Sequence, residues 1–230
     1  AILLGFGIRH FYALVSLTLS IFVTATIVSE FHRGARARMR TNNEGYGMAI
    51  IRLLQRNKRR YGGYIVHFGI VVLFVGLTGK AFDAEKEGHL KPGESMNIRS
   101  YTLTYKGYKT LEDPNKVVWQ AEMDVFKGGQ KVKTIYPNKH YYPVQEQPTT
   151  EVVLRSTLQE DLYVVLAQPN DDQSAVFKVY INPLVNLVWL SGLIVTLGTF
   201  IILLPDGTDR TKRMPVRRVS AEKVANSEVT

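Results

Sequence analysis

Three stretches of this chain are too apolar to remain in water. Residues 11–28 run for 18 positions without a formal charge, residues 61–78 for another 18, and residues 184–204 for 21. A helix needs about 20 apolar residues to cross the hydrocarbon core of a bilayer. Backbone groups in lipid must bond within the segment, so runs of this kind fold as helices. The fold class expected is therefore membrane α-helical. The mean hydropathy of −0.06 hides this, because the rest of the chain is polar.

The polar remainder carries the sign of the topology. Residues 29–60 hold nine Lys or Arg against Glu30 and Glu44, and residues 205–230 hold six against four acids. Cations next to spans mark the cytoplasmic side. Residues 79–183 hold thirteen Lys or Arg and fourteen Asp or Glu, a near balance that lets a long domain sit outside. The expected order is an apolar N-terminal segment 1–28 with span 11–28, a basic cytoplasmic loop 29–60, and span 61–78. An exported domain 79–183, span 184–204 and a basic cytoplasmic tail 205–230 follow. The net charge of +9 flanks membrane segments in this scheme, which argues against nucleic acid and for the lipid bilayer as partner. The same loop could touch anionic headgroups, at about 1 kcal/mol per cation. The chain starts at Ala1 without methionine, and residues 1–8 are already apolar and lack the basic start of a signal peptide, so Ala1 is expected to be a cut end of a longer protein.

Residues 79–183 read as β. In the run 118–126, Trp119, Ala121, Met123 and Val125 fall on one face, with Gln120, Glu122 and Asp124 on the other. Gly128-Gly129 then predicts a hairpin into 131–136. Tyr101, Leu103 and Tyr105 form another apolar face, and 152–154, 162–167 and 176–181 are further strands. Six to eight strands in roughly 100 residues predict a small sandwich or barrel-like domain inserted between helices. Pro183 is placed in the first turn of the last helix, and Pro205 at its stop. Trp119 is assigned to the β core and Trp189 to the membrane interface.

His67 is the residue that asks for a function. It lies inside the second span, and an ionisable group in a membrane helix is a functional-site hypothesis by default. Neutral imidazole is also a common ligand of metals and haem iron. At 100° per residue, Gly63, Val71, Phe74 and Thr78 fall within about 40° of it. Gly63 leaves open space one turn away, and Phe74 lies two turns the other way. That face could accept a flat aromatic macrocycle with His67 on the iron. A hydrogen bond from His67 to a neighbouring helix explains the same helix equally well. Gly62, Gly69 and Gly76 recur every seven residues on a different face, which suits close helix packing. His10, His32, His89 and His140 are expected to be ordinary surface residues. There is no cysteine, hence no disulfide and no thiolate site, and no triad, phosphate loop or zinc spacing stands out.

Two motifs carry a resemblance. Residues 59–69 read Arg-Arg-Tyr-Gly-Gly-Tyr-Ile-Val-His-Phe-Gly, and residues 182–189 read Asn-Pro-Leu-Val-Asn-Leu-Val-Trp. Together with the order of segments they resemble the late part of the cytochrome c maturation protein F (CcmF) family, a haem lyase component. The second motif is similar to other haem-handling proteins too, such as ResB. The resemblance implies a multi-pass protein of the bacterial inner membrane with its β domain in the periplasm. It implies partners: the haem chaperone CcmE, CcmH/CcmI-type subunits and apocytochrome c. It implies haem as substrate, joined to the two cysteines of a Cys-x-x-Cys-His motif. It also implies a structural haem b between two intramembrane histidines, of which His67 matches the later, with Gly63 and Phe74 beside it. The family's tryptophan-rich haem-handling segment and the earlier histidines have no counterpart here, so this chain alone is not expected to form the thioethers. A non-enzymatic scaffold, docking partners through its β domain, is the alternative. A quinol-linked cytochrome b is disfavoured by the single intramembrane histidine.

Overall fold

The computed structural model describes residues 10–205 except Gln145. The apolar start and the basic tail beyond Pro205 lie outside the described residues. Among these residues, three helices are long and apolar enough to cross a membrane.

The first, α1, spans Phe11–Asn42 and continues far past the apolar run. It stops where Asn43 takes a left-handed conformation (φ 51°) and its N–H caps the Met39 carbonyl. A short helix, α2, follows at Tyr46–Arg56, and α3 begins one residue later at Lys58–Thr78. The expected basic loop 29–60 is thus almost wholly helical. Its Ala, Met, Leu and Arg residues are good helix formers, and paired charges join its pieces. Glu44 sits between Arg38 (3.1 Å) and Arg52 (2.7 Å), and Glu30 meets Arg33 and Arg60, the latter at 2.6 Å.

A 3₁₀ turn at Gly79–Phe82 leads from α3 into ten antiparallel strands. One sheet has the order β1-β10-β9-β8, built from Ala84–Leu90, Ala175–Pro183, Glu160–Pro169 and Val153–Ser156. The other has the order β2-β3-β4-β6-β7: Ser95–Ile98, Tyr101–Asp113, Lys116–Lys127, Asn138–Tyr142 and Gln147–Glu151. β5 (Gln130–Ile135) pairs with the far end of β4 across the Gly128-Gly129 turn, where both glycines have positive φ. The sheets enclose one core. Tyr101, Leu103, Tyr105, Ala121, Met123 and Val125 face Leu162, Val164, Leu166, Phe177, Val179 and Ile181. The expected apolar faces are those that are buried, and Trp119 packs half-buried at the core's edge.

The last helix, α4, spans Asn186–Leu203. Pro183 does not open it, contrary to expectation. It closes strand β10, and the chain turns at Leu184 with φ 63°. Asn186 fixes this turn. Its amide group donates to Asp161 Oδ1 (2.8 Å), Ser156 Oγ (2.8 Å) and the Thr157 carbonyl (2.5 Å), tying α4 to the β8–β9 hairpin.

Candidate functional site

The orientation of His67 is set by the opposite side of its helix. A Cβ on Gly62 would lie 2.7 Å from Ile202 Cγ1, and one on Gly69 would lie 2.7 Å from Val195 Cγ2. One on Gly76 would lie 3.0 Å from Val188 N. Gly198 reciprocates from α4, where a Cβ would lie 2.9 Å from Val66 N. These contacts bring two backbones together, as small residues do in membrane bundles. They also fix the rotation of α3 and turn His67 away from α4.

On that other side stands α1. Its buried residues Ala13, Ser20 and Ile27 recur every seven positions, and Ser16 Oγ bonds Thr78 Oγ1 at 2.7 Å. Between the helices lies an apolar cavity of about 650 Å³. That is within the usual range for small-molecule and cofactor sites, roughly 300–1,000 Å³. His67, Ile70, Val71 and Phe74 line it from α3. Phe11, Tyr12, Val15, Leu19 and Val23 line it from α1, with Ser16 and Ser20. His67 is exposed to this space. Two other polar side chains of this helix bond elsewhere, Tyr64 to Glu30 at 3.4 Å and Thr78 to Ser16.

His67 and Phe74 both line this cavity. Gly63 shares their face, with nothing within 4 Å of its Cβ position, but lies beyond the cavity lining. Sequence reasoning missed α1 as the facing wall. The signal was present: Ser16 and Ser20, four apart in an apolar span, mark one face of a helix. Among the described residues, no three His, Asp or Glu side chains gather as a metal cage. A metal-bearing group here would take one ligand, His67, from these residues. An apolar slot with one imidazole and an aromatic wall fits a flat, iron-centred macrocycle in its donor set.

The remaining histidines divide. His10 and His32 are exposed. His89 is exposed too, with its Nε2 2.9 Å from Ser174 Oγ. His140 is not the surface residue expected. It is 5% exposed, lies in β6 between β4 and β7, and approaches Glu151 at 3.6 Å. Its strand reads Asn-Lys-His-Tyr-Tyr, with no apolar alternation to reveal a buried face. In the sandwich, hydrogen bonds from Lys131, Thr134 and Lys106 hold the Asp124 carboxyl far below the usual carboxylate range. Burial pushes the Tyr105 phenol up to about 12.

A membrane-helical protein with an inserted β sandwich, carrying a lone histidine in an apolar cavity, is the class these features define. The family model described as the CcmF C-terminal beta-sandwich matches residues 81–183. The cytochrome c-type biogenesis protein CcmF of Pseudomonas fluorescens is 31% identical over 158 residues, covering 68% of this chain and 23% of that protein. The cytochrome c-type biogenesis protein ccl1 of Rhodobacter capsulatus is 30% identical over 166 residues, covering 70% and 24%. A solved cytochrome c heme lyase CcmF shares the fold, with a TM-score of 0.65 at 21% identity, over 86% of this chain and 31% of that one. Sequence and fold together place the chain in the CcmF family, at the C-terminal part of its longer members. It spans about a quarter of the length of the curated relatives it matches.

Proposed function

We propose that this chain is the C-terminal part of a haem-lyase assembly in cytochrome c biogenesis, with His67 an axial ligand of a haem b. The observation that carries the proposal is the orientation of His67 into the α1–α3 cavity, among apolar and aromatic side chains rather than against a polar helix partner. The imidazole offers a nitrogen lone pair to iron. Phe74 and Val71 supply walls for the ring system, in a lining that is mostly apolar. A haem b held there by His67 would supply a one-electron carrier to help keep incoming haem reduced, with a further iron ligand from outside the described residues. Relatives named for cytochrome c-type biogenesis support the wider role; the form of it we propose is attachment of haem to apocytochrome c beside a CcmE-type chaperone and CcmH/CcmI-type subunits. The cation distribution supports an inner-membrane protein with its β sandwich in the periplasm.

The test is the haem spectrum of the full-length protein containing this chain. His67→Ala is expected to abolish or strongly reduce b-type absorbance while the β sandwich stays folded. His67→Met is expected to restore iron binding with a shifted spectrum and potential. Unchanged haem content and spectrum in His67→Ala would exclude ligation by this residue.

A further inference from the structure

The helix α2 has one packed side and one bare side, and both are informative. Ala49 and Leu53 are buried, with Leu53 Cδ2 2.7 Å from the Cβ position of Gly34 on α1. Tyr46 meets α1 as well, through His32, at 3.3 Å between the hydroxyl and Nδ1. Tyr46 and Leu53 are about 10 Å apart along α2, yet they meet α1 residues only about 3 Å apart along its axis. The two helices therefore cross steeply. If α1 runs through the bilayer, α2 lies along its surface. The level agrees, because His32 stands four residues, or about 6 Å of helix, past the end of the apolar run at Val28. That is the depth of the headgroup layer.

Around α2, the buried side is followed by an apolar flank of Tyr46, Ile50, Ile51 and Leu54. Tyr46 is 43% exposed and Ile51 is 51% exposed. The other flank holds Arg52 and Arg56, while Gln55, four residues on from Ile51, and Met48 lie between the two flanks. Lys58 and Arg59 follow at once, and no acid lies within α2 or these two residues. An apolar flank beside a cationic one, on a helix at headgroup depth, is the pattern of an interfacial helix.

We infer that α2 is a membrane-surface helix, with its Ile51 flank in the acyl boundary and Arg56 and Arg59 on anionic phospholipid headgroups. It rests on α1 and α3 crossing the bilayer and is independent of the haem reading. The chain has no cysteine, so single labels can be placed cleanly. Phe22→Cys, Ile51→Cys and Arg52→Cys variants of the full chain, each carrying an environment-sensitive fluorophore, are compared in phosphatidylcholine vesicles with and without phosphatidylglycerol. The label at 22 tests the span itself and should be quenched by deep lipid quenchers. The label at 51 should be quenched severalfold more by shallow lipid quenchers than the label at 52, on the cationic flank, and iodide should reverse that order. Phosphatidylglycerol should strengthen the effect, and Arg56→Gln with Arg59→Gln should remove that strengthening. Equal lipid quenching at 51 and 52 would overturn the inference. So would a label at 51 shielded from both lipid and iodide, which is the signature of a polypeptide neighbour. Failure at 22 would overturn the membrane placement of α1 on which the inference stands.

Discussion

The β sandwich and the helices solve the burial problem in opposite ways. Inside the sandwich, large side chains from two sheets fill a common core, as where the Tyr105 and Phe177 rings meet at 4.9 Å. Its buried Asp124 is bonded to Lys131 (2.7 Å), Thr134 (2.6 Å) and Lys106 (2.9 Å). The helices meet through glycine, backbone against backbone, and leave their outer faces bare. Phe22 is 67% exposed and Phe200 61%. In water such faces would be a liability; in lipid they cost nothing. The sandwich buries its own core, whereas the helices leave apolar faces exposed, and His67 stands among those faces.

The difference can be broken by mutation. Phe177→Ala should have the largest effect on the sandwich, about 3–5 kcal/mol of stability, because Phe177 is fully buried between the sheets. Trp119 fluorescence in a Trp189→Phe background would follow it, since Trp119 sits at the sandwich core and Trp189 on α4. Haem content per folded protein should not change. Gly198→Val should act on the helices instead, at about 1–3 kcal/mol or more. Its added carbon would meet the backbone at Val66 N and at Gly62 O (3.1 Å), neither of which can move aside as a side chain would. The sandwich should keep its own transition. A single shared transition for both variants would show that the two regions are not separate.

How much of this was legible follows the same division. The spans were readable because lipid requires an unbroken apolar run, and the sandwich core because the two sides of a strand meet different media. Apolar residues therefore recur with the period of the element, as at Leu103, Met123 and Val125. The glycine face was readable for the same reason. The helical continuation of α1 to Asn42 was not, because buried Ala35 stands between Arg33, Arg36 and Arg38, and a single alanine among charges sets no apolar period. Strands β1, β2, β6 and β7 were missed because they are short or mostly polar. The role of Asn186 was hidden because its partners, Ser156, Thr157 and Asp161, are about 25 to 30 residues away and are brought to it only by the fold. His67 could be named, but its facing wall is a neighbour relation that one helix cannot display.

Tyr105 gives a smaller and pH-dependent effect on the closed region. Its hydroxyl donates to the Gln173 carbonyl at 2.9 Å, and Tyr105→Phe should cost about 1 kcal/mol. An ordinary phenol titrates near 10, whereas this one is raised to about 12 by burial. The folded state thus holds its proton longer than the unfolded state. That contribution to stability is full below about pH 10 and is lost as pH rises through about 12. Alkaline melting curves of the wild type should fall across this window, and those of Tyr105→Phe should fall less.

Gly63→Ala should have the smallest effect on stability and separates the two sides of α3 most finely. Nothing lies within 4 Å of its Cβ position, while Gly62, one residue earlier, is closed by Ile202 and the Gly198 carbonyl. Alanine also favours a helix over glycine, by about 1 kcal/mol in water. Gly63→Ala should therefore be neutral or slightly stabilising, and Gly62→Ala destabilising, though the substitution is the same and the positions adjacent. Gly63→Leu extends the test to function. It leaves the packed side untouched and places bulk one turn from His67, so haem occupancy should fall while the thermal transition of the helices stays in place. Normal occupancy with Gly63→Leu would mean that whatever His67 holds does not extend along this face toward the basic end of the helix.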